Sequence, residues 1–257
     1  MKRALITAGG SGIGRAMAAR FDAAGFEVWV TDVDPKVLSD LPQHWHTRHC
    51  DAIDEDAMSA VFNVAGTVDV LCANAGIAGP TAPIEDVGLV DWRSCVSVNL
   101  EGAFLAVKHA LPSMKNAGTG SIVFISSTAG IYGYPNRAPY SAAKWAIIGL
   151  MKTVAMEAGP FGVRANAICP GAVEGTRMEG VLNREAEAKG MTRDQVYDGY
   201  AAGTSMRSFV EADNIADMAF FLGSDAARMV SGQVIAVDGH TENPDPKCIQ
   251  SARPYHN

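Results

Sequence analysis

The sequence predicts a doubly wound α/β fold, with a parallel sheet of about seven strands and helices on both of its faces. Short apolar segments rich in β-branched residues alternate with longer segments whose apolar residues recur at helical spacing. The short segments are nearly continuously apolar, as in VDVLCA at residues 68–73, which is typical of strands covered on both faces. No internal repeat, low-complexity tract or linker divides the chain. We therefore expect one domain over residues 1–239 and an irregular, proline-containing tail over residues 240–257.

This alternation predicts the position of each element. The strands are predicted at Ala4–Thr7, Glu27–Thr31, His46–Cys50, Val68–Ala73, Ser121–Ser126, Val163–Ile168 and Gln233–Val237. The helices are predicted at Gly12–Ala24, Asp54–Val64, Leu100–Met114, Tyr140–Glu157 and Ala212–Leu222. Residues 172–208 carry many charges and glycines and break this rhythm.

The composition excludes several classes of protein. Hydrophobic residues make up 48% of the 257-residue chain and charged residues 19%, so a mostly disordered chain is excluded. The 28 acidic and 21 basic residues give a net charge of −7, which argues against nonspecific binding to nucleic acid or to an anionic membrane. We therefore expect neither as a partner.

The cytoplasm is the expected compartment. The five cysteines are odd in number, far apart and without a CxxC motif, so the sequence predicts reduced thiols rather than a disulfide framework or a zinc ribbon. No uninterrupted apolar run reaches the ~18 to 20 residues that span a bilayer. The opening segment MKRALITAGG enters the first strand by residue 4, so we expect no signal peptide.

A glycine cluster, TAGGSGIG at residues 7–14, lies between the first predicted strand and the first predicted helix. Glycines at such a turn allow the backbone to approach a pyrophosphate, and the helix N-terminus offers free N–H groups to the anion. Asp32 ends the second strand, where a carboxylate can accept hydrogen bonds from ribose hydroxyls and would repel a 2′-phosphate. Ser11 adds no positive charge for such a phosphate, so NAD is favoured over NADP. A plain loop and a solvated, turn-capping Asp32 are the structural alternatives.

Tyr140 and Lys144 stand four residues apart at the start of an apolar helix, so both project from one face. An ammonium beside a phenol stabilises the phenolate and lowers the phenol pKa from its ordinary value of ~10. The pair can therefore exchange a proton with a hydroxyl or carbonyl substrate near neutral pH. Many such pairs are surface contacts, but this one follows a strand that ends in Ser-Ser-Thr-Ala-Gly, and ligands bind at the carboxyl ends of such strands.

Seven motifs, in order along the chain, resemble those of the short-chain dehydrogenase/reductase family in its compact single-domain branch. They are TAGGSGIG, CDAID, CANAG, VNLEG, YSAAK, CPGAV and SGQVIAVDG. The resemblance covers roughly residues 2–239 and implies a Rossmann-type NAD-binding catalytic domain that acts on a small-molecule alcohol or ketone. It also implies that residues 176–205 cover the substrate and that the protein is a homotetramer.

The resemblance assigns four residues to catalysis. Tyr140 would exchange the proton and Ser127 would orient the substrate oxygen. Lys144 would bind the nicotinamide ribose and tune Tyr140, while Asn99 would position a water for proton relay. Ser127 is preferred to Ser126 because the family serine usually lies thirteen residues before the tyrosine. A buried Asn99 that joins two elements is the structural alternative.

The same resemblance assigns the cofactor-binding residues, among which Asp51 would face adenine. The full set is Gly9, Ser11, Gly12, Ile13, Gly14, Asp32, Asp51, Ala52, Asn74, Ala75, Gly76, Tyr140, Lys144, Pro170, Gly171, Val173 and Thr176. Two positions depart from the family pattern. Ala8 replaces the first glycine of the turn, and the segment before Thr176 is one residue longer than usual.

The leading functional interpretation is an NAD-dependent dehydrogenase of a secondary alcohol, either a polyol, a sugar-type compound or a small polar or anionic one. An NADPH-dependent 3-oxoacyl-[acyl-carrier-protein] reductase is the alternative within the family, although Asp32 and the acidic net charge count against it. A non-catalytic nucleotide-sensing protein on the same fold is a third possibility, which would not need Ser127, Tyr140 and Lys144 together.

Three further features of the sequence carry expectations about substrate, assembly and metal binding. Arg177 follows Thr176 and could pair with an anionic group of the substrate, or it could simply belong to a solvated covering segment. The helix from Tyr140 is apolar around its circumference, which supports burial against other subunits. His44, His46 and His49 are clustered, but no metal-ligand spacing surrounds them, so no metal is expected.

Overall fold

A computed structural model of the chain describes residues 1–245, and these form a seven-stranded parallel sheet with helices on both faces. The strands are β1 (Arg3–Thr7), β2 (Glu27–Asp32), β3 (His46–His49), β4 (Val70–Ala73), β5 (Gly120–Ile125), β6 (Val163–Pro170) and β7 (Val234–Val237). Their order across the sheet is β3-β2-β1-β4-β5-β6-β7. The predicted fold class is confirmed, and every predicted strand is present with its ends within two residues of the expected positions.

Nine α-helices occur in residues 1–245. They are α1 (Gly12–Ala23), α2 (Pro35–Ser39), α3 (Glu55–Ala65), α4 (Leu89–Val96), α5 (Gly102–Ala117), α6 (Ala138–Ala158), α7 (Thr176–Lys189), α8 (Arg193–Ala202) and α9 (Ala212–Gly223). All five predicted helices are present, but α2, α4, α7 and α8 were missed. The helix predicted at Leu100–Met114 begins at Gly102, because residues Ser97–Glu101 form a π-helical turn that joins α4 to α5.

Two apolar layers hold the helices to the sheet. On one face α6 packs Ile147 and Met151 against β5 and β6, together with α3 and α5. On the other face α1 packs Met17 and Phe21 against the sheet and against α9. All four side chains are almost completely buried, and each contributes roughly 1.5–3 kcal/mol relative to exposure.

The strand order reverses between β1 and β4, and this reversal determines where a site can form. Connections from β1 and β4 lead to opposite sides, so the loops at their carboxyl ends diverge and leave a crevice. The α7–α8 pair lies after β6 and has its own small core of Leu182, Ala186 and Val196. An isolated bridge between Thr204 and Thr241 joins it to the segment that follows β7.

The clustered histidines make separate contacts. His44 lies 3.0 Å from Asp22, His46 stacks on Trp29, and His49 contacts the Val33 carbonyl oxygen. Within residues 1–245 no group of three or more His, Cys, Asp or Glu could hold a metal ion. No helix in that range is long and apolar enough to cross a membrane.

Four of the cysteines, Cys50, Cys72, Cys95 and Cys169, are buried and unpaired. Burial raises the pKa of the Cys72 thiol to about 12, so this thiol stays protonated. The predicted irregular tail lies mostly outside the described residues, which include only its first six positions.

Candidate active site

A cavity of about 450 Å³ opens at the carboxyl ends of the central strands, beneath α7. Its wall contains most of the residues that the sequence singled out. They are Ser11, Gly12, Ile13, Gly14, Asp32, Asn74, Gly76, Ser127, Tyr140, Lys144, Pro170, Gly171, Val173, Thr176 and Arg177.

Five predicted site residues do not line the cavity. Gly9 lies behind the turn, where its N–H donates to the Thr31 carbonyl oxygen at 2.9 Å. A Cβ at Gly9 would lie 2.9 Å from a Val30 methyl group, so this glycine allows the turn to pack on β2. Asp51 and Ala52 follow β3, and Ala75 is buried behind the wall with its N–H donating to the Thr7 hydroxyl at 3.1 Å.

Asn99, the fifth, lies directly behind the wall in the π-helical turn. Its amide nitrogen donates to the carbonyl oxygens of Cys95 at 2.8 Å and Ile77 at 3.0 Å. Its Oδ1 is buried and has no hydrogen-bond partner. A Cβ on Gly76 would meet this Oδ1 at 2.5 Å and Lys144 Nζ at 3.3 Å, so both polar groups face the Gly76 backbone.

The glycine-rich turn is fixed by the side chain of Asn74, whose amide donates to the carbonyl oxygens of Thr7 and Ala8 at 3.0 Å each. Gly14 must lack a side chain, because a Cβ would lie 2.3 Å from the Ala8 oxygen. Ala8 has a φ of 48°, a left-handed conformation that costs a non-glycine residue about 1–2 kcal/mol. The departure from the family pattern at Ala8 therefore places a strained non-glycine residue in the turn.

Asp32 lies beside this turn at the end of β2 and is nearly buried. One carboxylate oxygen accepts from the Gly10 N–H at 3.0 Å and the other from the Asp34 N–H at 3.1 Å. Each oxygen keeps a lone pair for a further donor. The carboxylate is thereby oriented towards the cavity that Asp32 lines.

At the other end of the cavity, β5 and α6 position Tyr140 and Lys144. Lys144 is buried, and its ammonium group donates to the Ile125 carbonyl oxygen at 2.9 Å. Its Nζ lies 5.6 Å from the centre of the Tyr140 ring. Burial lowers the pKa of Lys144, while the neighbouring phenol partly offsets this effect.

The net effect of these surroundings on Tyr140 favours the phenolate. Burial by itself would raise the phenol pKa, but the positive charges of Lys144, Arg177 and Arg137 lower it, as does a hydrogen bond with Ser127. The pKa of Tyr140 is therefore lower than the ordinary value.

The two candidate serines have different contacts. Ser126 is buried, and its hydroxyl donates to the Lys144 carbonyl oxygen at 2.8 Å, which ties α6 to the end of β5. The Ser127 hydroxyl accepts from the Ala129 N–H at 3.1 Å and lies beside Tyr140. The geometry therefore favours Ser127 as the serine that a substrate contacts.

The covering segment predicted at residues 176–205 forms α7 and α8, which place Thr176, Arg177 and Tyr200 on the cavity wall. The Arg177 guanidinium donates to the Gly76 carbonyl oxygen at 3.2 Å. It therefore connects the covering segment to the loop after β4.

The sequence did not single out Arg137, Tyr134, Glu174 or Tyr200, which also line the cavity. Arg137 lies one helical turn before Tyr140, and this spacing is the signal that could have identified it. Nothing local in the sequence indicates that Tyr134 and Tyr200 line the same cavity, because they are distant along the chain.

This wall fits a dinucleotide. The helix N-terminus at Ser11 has no side-chain cap, so its N–H groups remain available to a pyrophosphate. A Cβ at Gly12 would contact nothing within 4 Å, which leaves open space above the turn. Asp32 offers acceptors for a ribose at one end, and Lys144 offers a donor at the other. Fold and cavity together define a dinucleotide-binding α/β protein.

Comparison with known proteins identifies the family of the chain. A family model described as enoyl-(acyl carrier protein) reductase matches residues 7–240. Trans-4-hydroxycyclohexanecarboxylate dehydrogenase of Sinomonas cyclohexanicum is 35% identical, over 93% of this chain and 92% of that protein. D-beta-hydroxybutyrate dehydrogenase of Rhizobium meliloti (strain 1021) is 33% identical, over 93% and 97%. The crystal structure of NAD+-bound xylitol dehydrogenase superimposes with a TM-score of 0.89 at 28% identity, over 93% and 98%. The chain belongs to the short-chain dehydrogenase/reductase family.

Proposed function

We propose that the protein is an NAD-dependent dehydrogenase that transfers a hydride between a secondary alcohol and NAD, with Tyr140 as the acid/base. The observation that carries this proposal is the Tyr140 phenol, whose pKa is lowered by cations in the cavity that Asp32 and the glycine-rich turn also line. The dehydrogenase names of the two relatives and the NAD+-bound neighbour support the same chemistry.

The residues along the cavity would hold NAD, which would supply the hydride acceptor. Asp32 would bind the adenosine ribose, and Asp51 and Ala52 after β3 would face the adenine. The N–H groups at the start of α1 would bind the pyrophosphate. The loops after β4 and β6 would hold the nicotinamide end, the second of them through Pro170, Gly171, Val173 and Thr176, and Lys144 would bind its ribose.

The proton moves between the substrate hydroxyl and Tyr140. The phenolate of Tyr140 accepts the hydroxyl proton while Ser127 orients the substrate oxygen. Lys144 stabilises the phenolate by its charge, and Asn99 Oδ1 holds a water molecule for onward relay. Because the pKa of Tyr140 is lowered, the rate of alcohol oxidation rises with pH in a range below the ordinary phenol pKa.

The alternative activities are less compatible with these residues. A 3-oxoacyl-[acyl-carrier-protein] reductase that uses NADPH would place a 2′-phosphate beside the Asp32 carboxylate, which repels it. A protein that only senses nucleotides would not need a tyrosine whose pKa is lowered by buried and neighbouring cations.

We also propose a homotetramer in the cytoplasm, with α5 and α6 at the subunit interface. These helices and the following turn expose Phe104, Trp145, Met156 and Phe161. Apolar side chains of this size on neighbouring helices favour burial against another subunit.

Light scattering at micromolar concentration tests the assembly. We expect about four times the chain mass of 27.1 kDa. Met156→Lys should lower the measured mass, because an ammonium group buried at the interface would weaken association. Val64→Lys, on the exposed face of α3, is the control and should leave the mass unchanged. A wild-type mass equal to one chain would contradict the proposal.

Replacing Tyr140 with phenylalanine tests the acid/base. Tyr140→Phe removes the proton acceptor with little change in volume, so kcat should fall by about 100- to 10,000-fold. Binding of NADH, followed by its fluorescence, should remain within about threefold of wild type because the ring is kept. A variant that retains most of its turnover would exclude the mechanism.

Asp32→Ala tests the cofactor preference. Wild-type protein should have a much higher kcat/KM for NAD than for NADP, and the variant should raise the NADP-to-NAD ratio by about tenfold or more, because a repulsive carboxylate is removed. Asp40→Ala, which removes the same charge from an exposed position nearby, is the control and should leave the ratio unchanged. Comparable efficiency of wild type with both cofactors would refute the preference.

A further inference from the structure

A second arginine lies in the cavity beside Tyr140. Arg137 is the residue immediately before α6, and it is only 6% exposed although it lines the cavity. Its guanidinium carbon lies 4.8 Å from the centre of the Tyr140 ring, and that of Arg177 lies 6.0 Å from the same point. The phenol is therefore flanked by two guanidinium groups in addition to Lys144.

The hydrogen bonds of Arg137 are incomplete. Its Nη2 donates to the Ala78 carbonyl oxygen at 3.1 Å, and its Nη1 lies 3.6 Å from Glu185 Oε1, which is too long for a hydrogen bond. Its Nε is buried and has no partner. A guanidinium carries five N–H donors in a rigid fork, and buried donors are almost always paired. The unpaired Nε of this buried side chain therefore leaves Arg137 with a donor that has no acceptor.

Glu185 does not accept from this donor, because other groups already occupy it. The buried carboxylate accepts from the Tyr200 hydroxyl at 2.6 Å and from Lys189 Nζ at 3.1 Å. Lys189 also pairs with Asp245 at 2.7 Å. Lys189 shares its charge between Glu185 and Asp245, so Glu185 balances the charge of Arg137 from 3.6 Å but does not complete its hydrogen bonds.

Positive charge dominates the rest of the wall as well. Apart from Asp32 at the far end, the charged side chains among the described lining residues are Arg137, Lys144, Arg177 and Glu174. Glu174 accepts a hydrogen bond from the Tyr197 hydroxyl at 2.8 Å. Three cations and one acid therefore line this part of the cavity, which favours an anionic occupant.

Resting on the proposed function, we infer that Arg137 and Arg177 together bind the carboxylate of a small hydroxy acid, whose hydroxyl carbon is the site of oxidation. A carboxylate is the planar acceptor that a guanidinium fork matches. Since both guanidinium groups flank the ring whose hydroxyl exchanges the proton, the carboxylate lies only a few bonds from the reacting carbon. Tyr134, Tyr200 and Val181 line the same cavity and limit the size of the chain between the two groups.

The first experiment compares acids with their neutral amides on wild-type protein. The probes are 3-hydroxybutyrate against 3-hydroxybutyramide, and 4-hydroxycyclohexanecarboxylate against its carboxamide, each with NAD and with NADH formation followed by absorbance. The kcat/KM for at least one acid should exceed that for its amide by about 30-fold or more, mostly through a lower KM, because the lost contacts involve charged groups. Amides oxidised as well as their acids would overturn the inference.

The second experiment removes each guanidinium. Arg137→Met and Arg177→Met should each reduce the preference for acid over amide by about tenfold or more. Because both arginines also lower the pKa of Tyr140, each variant should slow acid and amide alike in addition, and the ratio of the two isolates the carboxylate contact. Arg184→Met is the matched control, since Arg184 is an exposed arginine on α7 that does not line the cavity. Arg177 is exposed, so its variant keeps the test valid even if Arg137→Met does not fold. An equal loss on acid and amide in both variants would contradict the inference.

Binding without turnover separates this inference from the proposed function. Cyclohexanecarboxylate should bind to the protein, with NADH present or absent, about 30-fold more tightly than cyclohexanecarboxamide, as measured by calorimetry. One outcome is that the carboxylate binds preferentially, that this preference disappears in Arg177→Met, and that no probe reduces NAD. This outcome would support the anion site and refute the dehydrogenase. Equal binding of acid and amide would refute the anion site, whatever the result for NAD reduction.

Discussion

The active site depends on a positive charge buried next to a phenol. Lys144 is 2% exposed, and the described structure gives its ammonium no carboxylate partner, only the Ile125 carbonyl oxygen and the nearby Tyr140 ring. Burying an ammonium without an acid is costly. The packing of α6 against β5 and β6 supplies the compensating energy, and the hydrogen bond from Ser126 to the Lys144 carbonyl oxygen fixes the helix in place. The charge of Lys144 is therefore available to stabilise negative charge in the cavity.

The same charge connects proton exchange with substrate recognition. Lys144, Arg177 and Arg137 all lower the pKa of Tyr140 against the effect of burial. An anionic substrate that pairs with the two arginines would reduce their effect on the phenol, so part of the lowering would be lost on binding. Lys144, which lies against the cofactor ribose in the proposed function, would keep its effect. Because the two arginines and Lys144 are separate sources of positive charge, the site can bind an anionic substrate while Lys144 still lowers the pKa of Tyr140.

The sequence predicts those features that depend on neighbouring residues. Nearly continuous apolar segments identified six of the seven strands, whereas β3 has the polar sequence HTRH and lacks this signal. The four-residue spacing identified Tyr140 and Lys144. The helices α4 and α7 were missed because neither has a clear apolar stripe. Only Cys95 is buried in α4, and α7 buries the charged Glu185 together with Leu182. The Glu185 carboxylate is buried because it pairs with Lys189 and accepts a hydrogen bond from Tyr200. A charged residue at a buried position interrupts the apolar pattern that would have predicted the helix.

Arg137 illustrates the same limit within the site. An arginine in a loop before a helix is ordinarily solvated, and its burial here depends on the Ala78 carbonyl oxygen and on the helices after β6. Conversely, Gly9 and Ala75 belong to matching motifs but lie behind the wall, where they pack the loops that carry the site. A motif identifies a loop, whereas only the folded structure determines which of its residues face the cavity.

The most direct measurement is an ultraviolet difference titration of tyrosine ionisation, comparing wild type with Tyr140→Phe. The chain has six tyrosines, and subtraction leaves the signal of Tyr140. Tyr134 will not interfere, since burial raises its pKa to about 12. The difference signal should report one phenol that ionises below the ordinary value of about 10. A Tyr140 that ionises at or above that value would contradict it.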